Sequence, residues 1–450
     1  MKKILIVLIV TVYIPLYAGI YPDQHHVLEG EQLFERIESF SGATQNADGK
    51  SICLADGEVQ GTVVFHPDSS EFPYNRGLPS WNGQVLKSGS GFKVQMRFPT
   101  STGWSPWLTA GFWMDHIWSS YGSTEYSGGE IDYDYVKLKT YQQRWQFRIL
   151  LKRRSASDPS PSLHKLSFFI SDSRTTANTD YQAILRDKPE EIFIDADFYY
   201  QYDLDPNIGH RICSPTTVSM ILSSFGLDVD PVAFSQKAYD PYYRIFGVWP
   251  RNVQAAYGHG LDGAVTRYRS WSQAREVLAN GGGIAMSVGK PLYTGHLMML
   301  AGFTAEGNPI VHDPAKSRGY ALVYNKSDLS RSWFAKGGIA YTFYPSQQQT
   351  RVDISSRPEK HRPDSFILHQ NYPNPFNHST RIPFELQKAQ HVNITVYTIN
   401  GQRVTTLYDA ETVAGRHEIT WDAREFVSGT YLIRMTAGNN VRMIKGLYIK

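Results

Sequence analysis

HRICSPTTVSMILSSFG, residues 210–226, holds one of only two cysteines in the 450-residue chain and sets it at the head of a helical pattern. Val218, Ile221, Leu222 and Phe225 recur at i, i+3, i+4 and i+7, which predicts one apolar helix face. Pro215 falls in the first turn, where a missing N–H costs nothing. Gly226 supplies a left-handed cap at the other end. Cys213 is therefore expected at the helix N-terminus, off the apolar stripe. Free backbone N–H groups and the positive end of the helix dipole favour a thiolate there. Three roles are open to such a cysteine: buried packing, half of a disulfide, or nucleophile.

A thiolate nucleophile needs a base and a group to orient that base. YTGHLMMLAGFTAEGNPIVHDPAK, residues 293–316, offers both. Residues 297–303 read as a strand, TAEGN as a turn and residues 309–312 as a returning strand. His296 enters the first strand and Asp313 leaves the second, so an antiparallel hairpin brings them to the same end. The imidazole would take the thiol proton, and Asp313 would fix its tautomer and balance its charge. The other histidines fit less well. His312 neighbours Asp313 in a strand and so points to the opposite face. His210 is near Cys213 in sequence but lacks an evident orienting partner, and His259 sits in a loop. Gln201, in DADFYYQYDLDP, is the candidate oxyanion donor together with the N–H of Cys213; taken alone, a loop glutamine is ordinary polar surface.

Outward from this segment the chain is modular. MKKILIVLIVTVYIPLYAGI has two lysines, an apolar run and a small-residue end, and reads as a signal peptide over residues 1–18. No later stretch is long and apolar enough to span a bilayer. Export permits disulfides, but Cys53 and Cys213 fall in different regions, which disfavours a bridge between them. Cys53 is read as a small buried apolar residue. Residues 30–175 are strand after strand (GFKVQMRFP, DYVKLKTY, WQFRILLKRR, HKLSFFISD) between turns such as SDPSPS, which predicts an all-β, jelly-roll-like sandwich. Trp81, Trp104, Trp107, Trp113 and Trp118 crowd into it. Core filling is their expected role, and an exposed platform for sugar or peptide is the alternative. Residues 190–345 mix helix and strand. Residues 346–363 are a polar, proline-bearing linker. Residues 364–450 form a second β-sandwich, with Asn400-Gly401 as a hairpin turn.

Two resemblances follow. QYDLDPNIGHRICSPTTVSMIL, GVWPRNVQAAYGHGLDGAVTRYRSWSQAREVL, GHLMMLAGFTAEGNPIVHDP and WFAKGGIAYTFYP together resemble the papain-like cysteine peptidases of the double-glycine leader peptidase type, family thirty-nine of the cysteine peptidases. That resemblance implies an α+β papain-like domain with Cys213 as nucleophile, His296 as general base and acid, Asp313 as orienter and Gln201 in the oxyanion hole. Ser214 stands where many relatives have glycine. Transporter domains are absent, so the family's role in bacteriocin export does not carry over. FILHQNYPNPFNHSTRIPFEL, VYTINGQRV, AGRHEITWD and SGTYLIRM resemble the C-terminal sorting domain of type IX (Por) secretion cargo. This implies an immunoglobulin-like fold, contact with that secretion machinery, and a secreted or cell-surface protein of a Gram-negative bacterium. His378 stands where proline is usual.

The function expected is an exported cysteine peptidase or amide hydrolase acting on peptide or protein. Acyl transfer through the same acyl-enzyme is the near alternative. An inactive papain-like protein that binds carbohydrate or peptide through the tryptophan-rich region is the distant one. No cofactor is implied and no metal-ligand spacing is present. A formal net charge of +3 on 450 residues gives no reason to expect nucleic acid as a partner.

Overall fold

The computed structural model describes residues 23–113, 118, 121–346, 366–386, 389–398, 402–437 and 440–450. The expected signal peptide, the linker beyond residue 346 and the Asn400-Gly401 turn lie outside them. The chain divides into two compact units, residues 1–351 and 352–450.

The first unit begins with sandwich-like sheets built on two long strands, Asp68–Gln84 and Tyr135–Arg153. The early part of Tyr135–Arg153 pairs with Asp68–Gln84 and Gly129–Asp132. Its later part pairs with Ser90–Arg97 and Gln60–Phe65. Register shifts between Lys137 and Gln142, and again before Arg144, let one strand serve both sheets. Alternating side chains fill the space between them with Trp81, Trp145, Phe92 and Phe168. The strand Asp23–Glu29 pairs along its whole length with Ser162–Ser171. The β region therefore starts upstream of the expected residue 30; DQHHVLE is too polar to announce a strand by alternation. Of the five tryptophans, Trp81 and Trp113 are buried, while Trp104, Trp107 and Trp118 are partly exposed.

The central region of the same unit is an antiparallel sheet in the order Leu261–Arg267, Ile339–Pro345, Gly283–Val288, His296–Phe303, Pro309–His312, Leu322–Val323. Every residue of His296–Phe303 is buried. Both faces of this strand are covered, and period-two alternation separates what each face meets. Met298 and Leu300 join Trp271, Trp333 and Phe334 on one side. Leu297 and Met299 join Ile221 and Leu222 of the Cys213–Ser224 helix on the other.

That helix ends as its sequence implies. Gly226 has φ 74, its N–H bonds the Ser223 carbonyl, and the Leu227 N–H bonds that of Leu222. The expectation of a single apolar stripe was too narrow, because Ser214 through Leu222 are all buried. The small hydroxyl residues of the other face find partners inside: Ser214 Oγ lies 2.8 Å from the Tyr341 hydroxyl, and Thr217 donates to the Leu297 carbonyl at 3.1 Å. The second bond ties the helix to the strand that carries His296.

One hydrophobic core runs through both regions of the first unit. Leu261–Arg267 is the outer strand of the central sheet. Its Gly263 and Val265 N–H groups donate to Asn82 Oδ1 at 3.2 Å and Ser80 Oγ at 3.1 Å, both from the preceding β region. Gln254, in the Trp249–Tyr257 helix, donates to the Gly83 carbonyl at 2.6 Å, and buried Arg251 donates to the Phe112 carbonyl at 3.0 Å.

The second unit contains a three-stranded sheet (Phe366–Leu368, Ser379–Leu386, Gly415–Asp422) and a four-stranded sheet (Arg403–Thr412, Gln390–Thr398, Gly429–Ala437, Asn440–Tyr448). They enclose Phe376, Phe384, Trp421 and Tyr431. The NYPNPFN segment is bonded in by its amides: Asn371 reaches Thr380 Oγ1 at 2.9 Å, and Asn374 both donates to the Lys445 carbonyl and accepts the Leu447 N–H at 2.8 Å. His378 has φ 68, a conformation closed to proline, so this turn differs from one built on proline.

Candidate functional site

Cys213 opens its helix, and the Ser214 N–H points back to its sulfur. His296 opens the adjacent strand, which sets its ring against the thiol and the Leu297 N–H beside it. His296 Nε2 donates to Asp313 Oδ1 at 2.8 Å, leaving Nδ1 for Cys213. Asp313 immediately follows the Pro309–His312 strand and is fully buried. Its Oδ1 also accepts the Ala315 N–H at 3.0 Å. Its Oδ2 accepts hydroxyl hydrogens from Tyr293 at 2.6 Å and Tyr324 at 2.5 Å. The Tyr293 ring lies against the imidazole with centroids 4.3 Å apart. The backbone of Asp313 is clamped by its N–H to the Gly319 carbonyl at 2.8 Å. A Cβ on Gly319 would fall 1.9 Å from the Asp313 carbonyl oxygen, so this approach is open to glycine alone.

The electrostatics follow from these contacts. Burial opposes ionisation of the Cys213 thiol, but the hydrogen bond and charge of His296, with the Leu297 and Ser214 N–H groups, outweigh it and lower the pKa. Burial likewise opposes the imidazolium, yet Asp313 and Cys213 push His296 up to about 9. Asp313 is held down to about 2 against its own burial by His296 and the two tyrosines. All three shifts run in the direction of thiolate, imidazolium and carboxylate in a row. Cys53 is the contrast. Like Cys213 it is partly exposed, where burial was expected, but here burial with nearby carboxylates raises the pKa. Both cysteines are free.

Gln201 opens a short helix and is buried. Its side chain donates to the Gly209 carbonyl at 2.7 Å, four residues before Cys213, and its backbone N–H bonds the Pro314 carbonyl at 2.9 Å, next to Asp313. It thus bridges the segments that carry the nucleophile candidate and the carboxylate, while its Oε1 has no hydrogen-bond partner among the described residues. His312 is buried on the other face, stacked on Tyr320 at 4.7 Å, and accepts the Ala321 N–H. His210 is exposed and His259 packs against Phe234. Sequence reasoning missed Tyr293 and Tyr324. Tyr293 lies three residues before His296, but nothing in a lone tyrosine signals its bond to a carboxylate. Among the described residues no group of His, Cys, Asp and Glu side chains is placed to hold a metal.

Comparison with known proteins agrees with this architecture. Residues 193–341 match the Peptidase C39 like family and residues 43–171 the Peptidase C39 N-terminal domain. Residues 370–450 match the secretion system C-terminal sorting domain. The class defined is that of exported, peptidase-family proteins. More particularly, this chain carries a C39-like domain with its N-terminal companion and a type IX sorting tail, which makes it a secreted or cell-surface protein. No curated protein matches the sequence. Among solved structures, a carbohydrate-binding module of the β-sandwich superfamily is similar at 8% identity and TM-score 0.15, covering 35% of this chain and 57% of its own. Latent PorU from Porphyromonas gingivalis is similar at 11% identity and TM-score 0.18, covering 94% and 34%. The CBM51-2 and INT domains of Clostridium perfringens ZmpB stand at 9% and 0.19, covering 94% and 83%. The chain thus spans less than two thirds of the first two, and scores this low carry no argument about fold.

Proposed function

We propose that the protein is an exported cysteine peptidase or amide hydrolase in which Cys213, His296, Asp313 and Gln201 form one catalytic unit of papain-like type. The observation that carries this reading is the continuous chain of hydrogen bonds from the Cys213 thiol at a helix N-terminus, through His296, to buried Asp313. The thiolate attacks the substrate carbonyl carbon and forms a C–S bond. The oxyanion is held by the Cys213 N–H and the second N–H of the Gln201 amide, the first being bound to Gly209. The His296 Nδ1 proton passes to the leaving amine as the C–N bond breaks. Water, deprotonated by the now neutral imidazole, then cleaves the thioester. An amine in place of water gives acyl transfer by the same steps.

His296 and Asp313 are buried while Cys213 is partly exposed, which leaves the sulfur open to substrate, and Asp313 keeps His296 in the tautomer and orientation that face Cys213. The tail is proposed to be immunoglobulin-like and to engage the type IX machinery. A carbohydrate contact is proposed around Trp104 and Trp107. Arg97 stacks 4.4 Å from Trp107 and 5.1 Å from Trp104, and Arg148 4.5 Å from Trp107. A ligand there would meet indole edges and guanidinium N–H groups rather than bare ring faces.

The deciding experiment is alkylation of the whole protein by iodoacetamide at mildly acidic pH, with mapping of the modified residue. Selective modification of Cys213, with loss of hydrolysis of a peptide library, is expected. Equal modification of Cys53 and Cys213 would refute the proposal.

A further inference from the structure

Lys336 lies in the turn between the Lys326–Phe334 helix and the Ile339–Pro345 strand, and it is half-buried. Its stem lies against Gly289, where a Cβ would meet Lys336 Cδ at 2.8 Å. Among the described residues its ammonium reaches only neutral oxygens: Ser287 Oγ at 3.3 Å and the Val288 carbonyl at 3.4 Å. Both are long for a charged donor, which settles at about 2.7–2.9 Å on a good anionic partner. Across the strand pair, Ser287 faces Leu297 and Val288 faces His296. These are the residues whose N–H and ring hold the Cys213 sulfur. The ammonium therefore sits one strand away from the thiol–imidazole pair. Burial lowers its pKa, while the charges of Cys213 and Asp134 oppose that. Asp134 does not form an ion pair with it. That carboxyl accepts the Trp249 N–H at 2.5 Å, and burial raises its pKa to about 7.

A cation that has lost part of its hydration and found only two long, neutral contacts is poorly compensated. The thiolate does not need it, since the imidazolium already balances that charge. A lysine that merely braced the turn would be expected to close on its carbonyl partner. We propose that Lys336 is a specificity-determining residue that receives a carboxylate of the peptide substrate beside the scissile bond. The substrate class is accordingly peptides carrying an acidic group close to the cleaved amide. This rests on the reading of Cys213 as nucleophile.

Two measurements on the full chain test it. The first compares the alkylation rate of Cys213 by iodoacetate with that by iodoacetamide, in wild type, Lys336→Met and Lys336→Arg. The neutral reagent reports the folded site and the anionic one reports the local cation. The iodoacetate-to-iodoacetamide ratio should fall about twofold or more in Lys336→Met, the order of a one-charge change felt well within a screening length in a water-like dielectric. It should be retained in Lys336→Arg. The second compares cleavage of peptide pairs with Glu or Gln at each position, and with the C-terminus as acid or amide, which separates a side-chain carboxylate from a terminal one. A preference for the acid at one position, lost in Lys336→Met through a higher KM, supports the proposal. An unchanged reagent ratio, or no acid preference at any position, overturns it. If neither reagent favours Cys213 over Cys53, the nucleophile reading itself fails, a result distinct from the other two.

Discussion

Replacing Asp313 by asparagine should strip His296 of most of its charge while leaving its place in the structure. The amide can still accept the imidazole N–H through Oδ1, and its shape matches the pocket made by Tyr293, Tyr324 and the Ala315 N–H. What is lost is the negative charge on the acceptor. A hydrogen bond to a charged group contributes about 1.5–3 kcal/mol. At 1.36 kcal/mol per pKa unit this is about one to two units. His296, held at about 9 in the native site, should therefore titrate at about 7–8 in Asp313→Asn. At pH 8 the charged fraction would drop from about nine-tenths to between a tenth and a half. The assay is NMR titration of labelled imidazoles in the whole protein, with His296→Ala to assign the resonance. The same shift governs stability. Because the folded pKa is raised from 6.5, the charged ring stabilises the fold fully below about pH 6.5, and that contribution is lost as pH rises through about 9. The side chain is only 5% exposed, so solvent screening is slight, and the contribution is on the order of a few kcal/mol. Urea midpoints between pH 6 and 10 should fall in the wild type and fall less, and earlier, in the variant. A His296 pKa unchanged to within about 0.3 unit would refute the account of Asp313 as the main source of that charge.

Cys213→Ala and His296→Ala should each lower turnover by on the order of 10⁶, with the double variant hardly worse and Cys53→Ala nearly fully active; additive losses in a kinetic comparison would show that the two do not act together. Gln201→Ala should cost roughly 10²–10³ in turnover with little change in KM. Gly319→Ala forces a methyl onto the Asp313 carbonyl and should lower both the melting temperature and the rate of Cys213 alkylation; a native-like protein would mean the loop relaxes freely. The resemblance to type IX sorting domains also implies removal of the tail on export, so the intact mass of secreted material should lack residues 1–18 and 364–450; a mass that retains the tail would contradict this.

The parts of the site legible in the sequence depend on local geometry. A helix N-terminus and the two ends of one hairpin can be read from spacing, which is how Cys213, His296 and Asp313 came together as candidates. Tyr324 could not be read that way. It reaches Asp313 from beyond a two-residue strand, by a path that no periodicity encodes. The hydroxyl face of the Cys213–Ser224 helix misleads for a related reason, since serine and threonine look solvent-facing until a neighbouring hydroxyl or carbonyl is supplied from elsewhere in the chain. Arg251 and Gln254 are the same case in the Trp249–Tyr257 helix. Both are buried, and both answer to backbone carbonyls more than a hundred residues away. Strand patterns in residues 30–175 announced the sheets, but not that their core would continue into the region after residue 190.

The capped outer strand of the central sheet has a bearing on when the protein can become reactive. Gly263 and Val265 find acceptors on Asn82 and Ser80, and Arg251 adds the Phe112 carbonyl to those of Ala238 and Tyr239. A central region made or released alone would present an open strand edge, a template for pairing with other chains. With a shared core and these cross-region bonds, the two regions are expected to fold as a pair within one polypeptide. During export the chain would carry its cysteine as an ordinary thiol, with neither imidazolium nor ordered N–H groups to activate it. Reactivity would arrive only once segments more than a hundred residues apart had closed on each other. The fold would thus impose a delay on the chemistry without any separate inhibitory segment.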